Sequence, residues 1–207
     1  MKPLRILSHY FGFRYTNKPS KQLMYLHARR FLKFSSGRIG LDVGCDVMKN
    51  YPMFKTYKYV GLDINRESLV QGIQLFNSAC GIAGDMRNPG IETVDIVNCL
   101  QVIRINNGWR VSYDNDVITA VEDLISLVNE DGQLIFNVGR VSKNEIKEIR
   151  STLNDEFNEV TEVQIPQLPY YSVKNIRYQV ILNLFVIILY KLKKPDSIRY
   201  HLFNAKR

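Results

Sequence analysis

From about residue 38 the chain alternates short apolar runs with segments patterned as helices, and this alternation limits the fold more than any other feature. The runs are "RIGLDV" (38–43), "YKYVGLDI" (57–64), "CGIAGD" (80–85), "TVDIVNCLQVI" (93–103) and "QLIFNV" (133–138). Strands separated by helix-length segments point to crossover connections, and therefore to a parallel sheet with helices on both faces. The fourth run is almost wholly apolar, as expected of a central strand covered on both sides.

The connecting segments carry their own signals. Asn65 can cap a helix through "RESLVQGIQLF", and Val117, Ala120, Val121, Leu124 and Leu127 recur at helical spacing within 116–128. Asp131-Gly132 reads as a turn into the fifth run. A polar helix is expected over 142–153, a strand over 160–165, and a terminal strand in "SIRYHLFNAKR". Ahead of the first run, Leu23, Met24, Leu26, His27 and Phe31 fit one side of a helix, with Ser20 as N-cap and Gly37 as its stop.

Residues 180–190, "VILNLFVIILY", have Asn183 as their one polar residue. They are too few to cross a bilayer, which takes about 20. Because a helix apolar on every side is usually buried, a core element or subunit contact is the first expectation. Interfacial membrane attachment, helped by Lys191, Lys193 and Lys194, is the second, and a β-strand the third.

With 207 residues the chain can bury about 70% of its unfolded surface in one core. Its 45% hydrophobic and 23% charged residues exclude disordered, collagen-like and disulfide-framework classes. Cys45, Cys80 and Cys99 form no CxxC pair and have no histidine at ligand spacing, so no metal site is expected. The opening "MKPLRILSHYFGFRY" is interrupted by Ser8, His9 and Arg14 and does not read as a secretory signal; a cytoplasmic location is expected. A net charge of +8 suits phosphate-bearing partners such as RNA, nucleotide-linked sugars or an anionic membrane surface, and equally suits a solvated lysine-rich surface.

The chemistry concentrates where the runs end, at Asp42 with Gly44, at Asp63 and at Asp85. In a parallel sheet these ends open on one edge, where ligands bind. Asp63 lies 21 residues after Asp42 (63 − 42), close to the ~20-residue interval at which an acid reaches a ribose diol. Any one such Asp is often only a helix cap; three in register point to a site. Gly44 would let backbone approach a ligand, and Asp85 with the N–H of Met86 would suit the amino edge of an adenine.

In this order the segments resemble the class I S-adenosylmethionine (SAM)-dependent methyltransferases. "LDVGCD" (41–46) is similar to their motif I, "VGLDINRESL" to the strand-two motif, "GDMRNP" (84–89) to the adenine segment, "VDIVNCLQVI" to motif IV, and "LVNEDGQLIFNV" (127–138) to the fifth-strand motif. The resemblance implies an α/β fold with a doubly wound, mostly parallel seven-stranded sheet whose last strand is antiparallel, and SAM as cofactor. It implies a helical lid over 1–37, a SAM-binding domain over 38–207 with a hydrophobic insertion near 175–194, and cofactor contacts from Asp42, Gly44, Cys45, Asp46, Asp63, Ile64, Asp85, Met86, Asn98 and Leu100. His27, on the lid helix, is the residue to test as a base.

The departure is at Asp46 and Met48, where the family pattern DxGxGxG has glycines. Asp46 would either receive the ammonium of the methionine moiety or obstruct it. Cys99 lacks the preceding proline of RNA cytosine-5 enzymes, since Asn98 stands there, and "NCLQ" replaces the "NPPY" tetrad of amino-methylating nucleic-acid enzymes. Cys45 and Cys99 read better as small buried hydrophobes.

The implied reaction is direct displacement at the sulfonium methyl, with an acceptor pocket from the segment before the first strand, from 104–116 with Trp109 and Tyr113, and from 166–178 with Tyr170, Tyr171 and Tyr178. A small molecule or glycan intermediate is the first expectation for the acceptor and RNA the second. A nicotinamide oxidoreductase would need glycines at Asp46 and Lys49. A non-catalytic interaction domain is the remaining class.

Overall fold

The computed structural model describes residues 18–32, 35–103, 117–171, 176–191 and 197–207. Seven strands form one sheet in the order β3-β2-β1-β4-β5-β7-β6. They are β1 (Ser35–Val43), β2 (Thr56–Asp63), β3 (Ala79–Ala83), β4 (Val94–Cys99), β5 (Val128–Val138), β6 (Glu159–Pro166) and β7 (Ile198–Lys206). The pairs β1·β2, β1·β4, β2·β3 and β4·β5 are parallel, whereas β7 runs antiparallel to both β5 and β6. The order reverses between β1 and β4, which is where a parallel sheet leaves a crevice at its strand ends.

Alternation along each strand sorts side chains to two faces. Leu41, Val43, Leu62, Val97, Leu134 and Phe136 meet α3 (Val117–Ser126) and α4 (Lys143–Glu156). On the other face Tyr59, Ile96, Ile135 and Leu202 meet α1 (Pro19–Phe31) and Leu69 of α2 (Arg66–Leu75). A fifth helix, α5 (Ile176–Lys191), lies outside this sandwich, with Val186 and Ile187 packed on Leu168 and Leu23 of α1.

Two helix starts follow their local chemistry. Asn65 Oδ1 accepts from the N–H of Glu67 (3.0 Å) and Ser68 (3.1 Å), as its position before α2 suggests. Ser142 and Glu145 form a reciprocal capping box at α4. Others differ from the sequence expectation. Lys18 is the N-cap of α1 and makes no side-chain capping bond, while Ser20 Oγ accepts from the N–H of Leu168 at 2.8 Å. Helix α1 ends at Phe31, and Gly37 lies inside β1 instead of stopping it.

The Asp131-Gly132 turn is absorbed into β5, where the four residues between Val128 and Gln133 lie opposite the single residue Asp95 between Val94 and Ile96 of β4, as a bulge. Asn129 Nδ2 holds that bulge by donating to Asp95 Oδ1 at 2.8 Å. The apolar segment over 180–190 is helical, which removes the strand reading, and only one of its faces is buried. The remainder of the expected lid (1–17 and 33–34) and the segment over 104–116 lie outside the described residues.

Candidate functional site

Four strand ends converge on a cavity of about 250 Å³, just under the range of about 300–1,000 Å³ typical of small-molecule sites. Val43 and Gly44 line it from β1, Leu62, Asp63 and Ile64 from β2, Gly84, Asp85 and Met86 from β3, and Gln101 and Val102 from β4. Five residues singled out by sequence thus share it, namely Gly44, Asp63, Ile64, Asp85 and Met86. Asp42, Cys45, Asp46, Asn98, Leu100 and His27 do not line it.

The loop after β1 explains the geometry. Gly44, Asp46 and Met48 all hold positive φ (66°, 51° and 55°), the left-handed conformation that favours glycine. These are the three glycine positions of the DxGxGxG pattern. The left-handed backbone is therefore present at all three positions although two of them are not glycine. At Gly44 the glycine is required on a second ground, since a Cβ there would clash with Val102 Cγ2.

Neither substituted side chain enters the cavity. The Asp46 carboxylate turns to Lys49 Nζ at 2.6 Å, and although burial alone would raise its pKa, this lysine holds it below the ordinary carboxylate value. Met48 is fully buried and points the other way, filling room left by Gly61, Gly72 and Gly81.

Asp63 is the carboxylate best placed for a ligand. Its Oδ2 accepts from the Asp46 N–H (2.7 Å) and its Oδ1 from the Asn65 N–H (2.9 Å). A carboxylate offers about four acceptor directions, so about two remain for a ligand. The same contact ties the loop after β1 to the end of β2. Asp85 is engaged differently, by both the backbone N–H (3.0 Å) and the guanidinium of Arg87, which lower its pKa.

Asp42 plays a structural part that its position at a strand end did not reveal. It is fully buried, with Oδ1 accepting from Asn50 Nδ2 (3.0 Å) and Asn98 Nδ2 (2.7 Å) and Oδ2 from the Tyr59 hydroxyl (2.7 Å). Burial raises its pKa to about 6 against the pull of those three donors. Cys45 and Cys99 are buried nearby, and burial pushes both thiols well up, which removes the thiolate that a nucleophile needs.

Sequence reading missed Gln101. It takes a positive φ of 66° at the end of β4, and its N–H donates to Oδ1 of the buried Asn137 at 2.8 Å. Its side-chain Nε2 reaches Met24 Sδ on α1 at 3.3 Å, linking that helix to the cavity wall. A strained residue beside a cavity is a signal of function, but strain is not visible in a residue string.

No family model matches this chain, and no curated protein sequence matches it significantly. Solved structures do. The N-methyltransferase NodS from Bradyrhizobium japonicum WM9, in complex with S-adenosyl-L-homocysteine, superposes with a TM-score of 0.61 over 92% of this chain and 88% of that one, at 13% identity. Geranyl diphosphate C-methyltransferase from Streptomyces coelicolor A3(2), with Mg2+, geranyl diphosphate and S-adenosyl-L-homocysteine, gives 0.59 at 13% identity over 90% and 80%. Precorrin-6y C5,15-methyltransferase from Geobacter metallireducens GS-15 gives 0.54 at 9% identity over 90% and 89%. The chain has the class I methyltransferase fold.

Proposed function

We propose that this crevice binds SAM and that the protein transfers its methyl group to a small molecule or glycan intermediate. The observation that carries this reading is the Asp63 carboxylate, lining the cavity with spare acceptor directions and anchored to a loop that keeps left-handed backbone at 44, 46 and 48. In this reading Asp63 holds the ribose hydroxyls, Gly44 admits the ligand against bare backbone, and Asp85 with the Met86 N–H faces the adenine edge. The bound cofactor supplies an activated methyl group on a sulfonium.

What the protein adds is alignment and exclusion of water. Among the described residues the cavity wall contains no histidine, lysine or cysteine. The polar group on the β4 side is the Gln101 side-chain amide, whose Nε2 is held by Asn137 Oδ1 and by Met24 of α1 and whose oxygen suits hydrogen bonding with an uncharged acceptor. A small-molecule acceptor also agrees with structural neighbours whose names carry geranyl diphosphate and precorrin-6y.

Calorimetric titration with SAM and with NAD, on wild type and on Asp63→Ala, tests the reading. SAM should bind in the micromolar range, NAD should not, and Asp63→Ala should weaken SAM about tenfold or more, as for loss of a hydrogen bond to a charged group. Absence of SAM binding would leave the fold without this function. The net charge of +8 supports RNA as a second acceptor class. Binding to tRNA or rRNA fragments that falls steeply as salt rises would favour it over the small molecule.

A further inference from the structure

Helix α5 buries Gln179 and Asn183 against the protein and turns an apolar face outward. Gln179, Asn183, Val186 and Ile187 are buried, and Gln179 Nε2 donates to Asn183 Oδ1 at 2.9 Å within that buried face. Tyr178, Ile181, Phe185, Ile188 and Leu189 are 49–63% exposed. At about 100° per residue these five fall within an arc of about 100°. A helix adapted to water places its polar residues outward, so this arrangement is reversed.

The charge of the sequence segment that contains α5 indicates what covers the face. Between Glu162 and Asp196 the chain has no Asp or Glu and five Lys or Arg, at Lys174, Arg177, Lys191, Lys193 and Lys194. Tyr170 and Tyr171, just after β6, are also exposed. Outward aliphatic side chains, tyrosines and a wholly basic segment are the composition of a helix lying in a lipid interface. A second copy paired face to face through α5 would bring two acid-free basic segments together, whereas an anionic bilayer attracts them. No helix among the described residues is long and apolar enough to cross a membrane.

We propose that α5 docks the protein peripherally on an anionic lipid surface, with Ile181, Phe185 and Ile188 inserted among the headgroups. Because α5 packs on α1, and Met24 of α1 touches Gln101 at the cavity wall, docking places the crevice beside the lipid and favours acceptors that partition into it. That last step rests on the methyl-transfer reading; the docking itself does not.

The test is sedimentation of the full chain with vesicles of phosphatidylcholine alone and of phosphatidylcholine mixed with phosphatidylglycerol, at low and high salt. Wild type should bind the mixed vesicles, lose most of that binding at high salt, and bind neutral vesicles several-fold less. Ile181→Asp with Phe185→Asp should weaken binding to the mixed vesicles about tenfold or more. Ile181→Ser with Phe185→Ser should weaken it less, and both variants should keep the wild-type circular dichroism and SAM affinity. Absence of wild-type binding to the mixed vesicles, or binding unchanged in the Asp variant, would overturn the proposal. So would a wild-type dimer that the substitutions dissociate without any vesicle binding. Since SAM affinity is read separately, failure of docking and failure of the cofactor reading are distinguishable.

Discussion

Replacing Asp42 by Asn should stabilise this protein at high pH and do progressively less as the pH falls. The carboxylate is fully buried and its pKa is raised to about 6 from 3.8, chiefly by burial. Because the folded value lies above the unfolded one, the stability this group contributes is full below pH 3.8 and is lost as the pH rises through 6. The gap corresponds to about 3 kcal/mol of unfavourable ionisation at pH 8. About half of it, roughly 1.5 kcal/mol, is recovered between pH 8 and pH 5.

Asparagine is close to a neutral isostere at this site. Its Oδ1 can accept from Asn50 and Asn98 as the carboxylate does, and its Nδ2 can donate to the Tyr59 oxygen once the Tyr59 hydroxyl proton turns away from it. Urea unfolding of wild type and Asp42→Asn, followed by circular dichroism at pH 5, 6.5 and 8, should therefore give a stability difference that shifts in favour of the variant by about 1.5 kcal/mol over that range. A pH-independent loss of stability in the variant would refute the reasoning. It would mean that the three donors outweigh burial and keep Asp42 ionised throughout.

The glycine-position residues should respond in opposite directions. Asp46→Gly removes left-handed strain at the cost of an exposed pairing with Lys49, and should raise stability by about 0.5 kcal/mol. Met48→Gly relieves the same strain but empties a fully buried site, and should cost about 2–4 kcal/mol by urea unfolding. Gly72→Ala would bring a Cβ to 2.6 Å from Met48 Cγ and should cost about 1–3 kcal/mol despite better helix propensity. In a Met48→Ala background that cost should shrink by more than about 1 kcal/mol, a coupling measurable as a double-mutant cycle.

The sequence by itself determined the layer order and the edge at which chemistry collects. Alternating apolar runs and 3.6-residue patterns specify which face each element buries, and a parallel sheet then sends every strand end to the same side. Of the ten strand-end residues this singles out, Gly44, Asp63, Ile64, Asp85 and Met86 line one cavity. Tertiary structure decided what each strand-end group does there, because a side chain's partners come from elements far along the chain. Asp42 and Asp63 look alike as residues, yet Tyr59 and Asn98 enclose the first while the second opens to the crevice. Met48 looked like a broken glycine motif until Gly61, Gly72 and Gly81 were seen to make room for it. Helix α5 was undetermined for the complementary reason that a segment apolar all round has no preferred side, and only its contact with α1 decided which face turned outward.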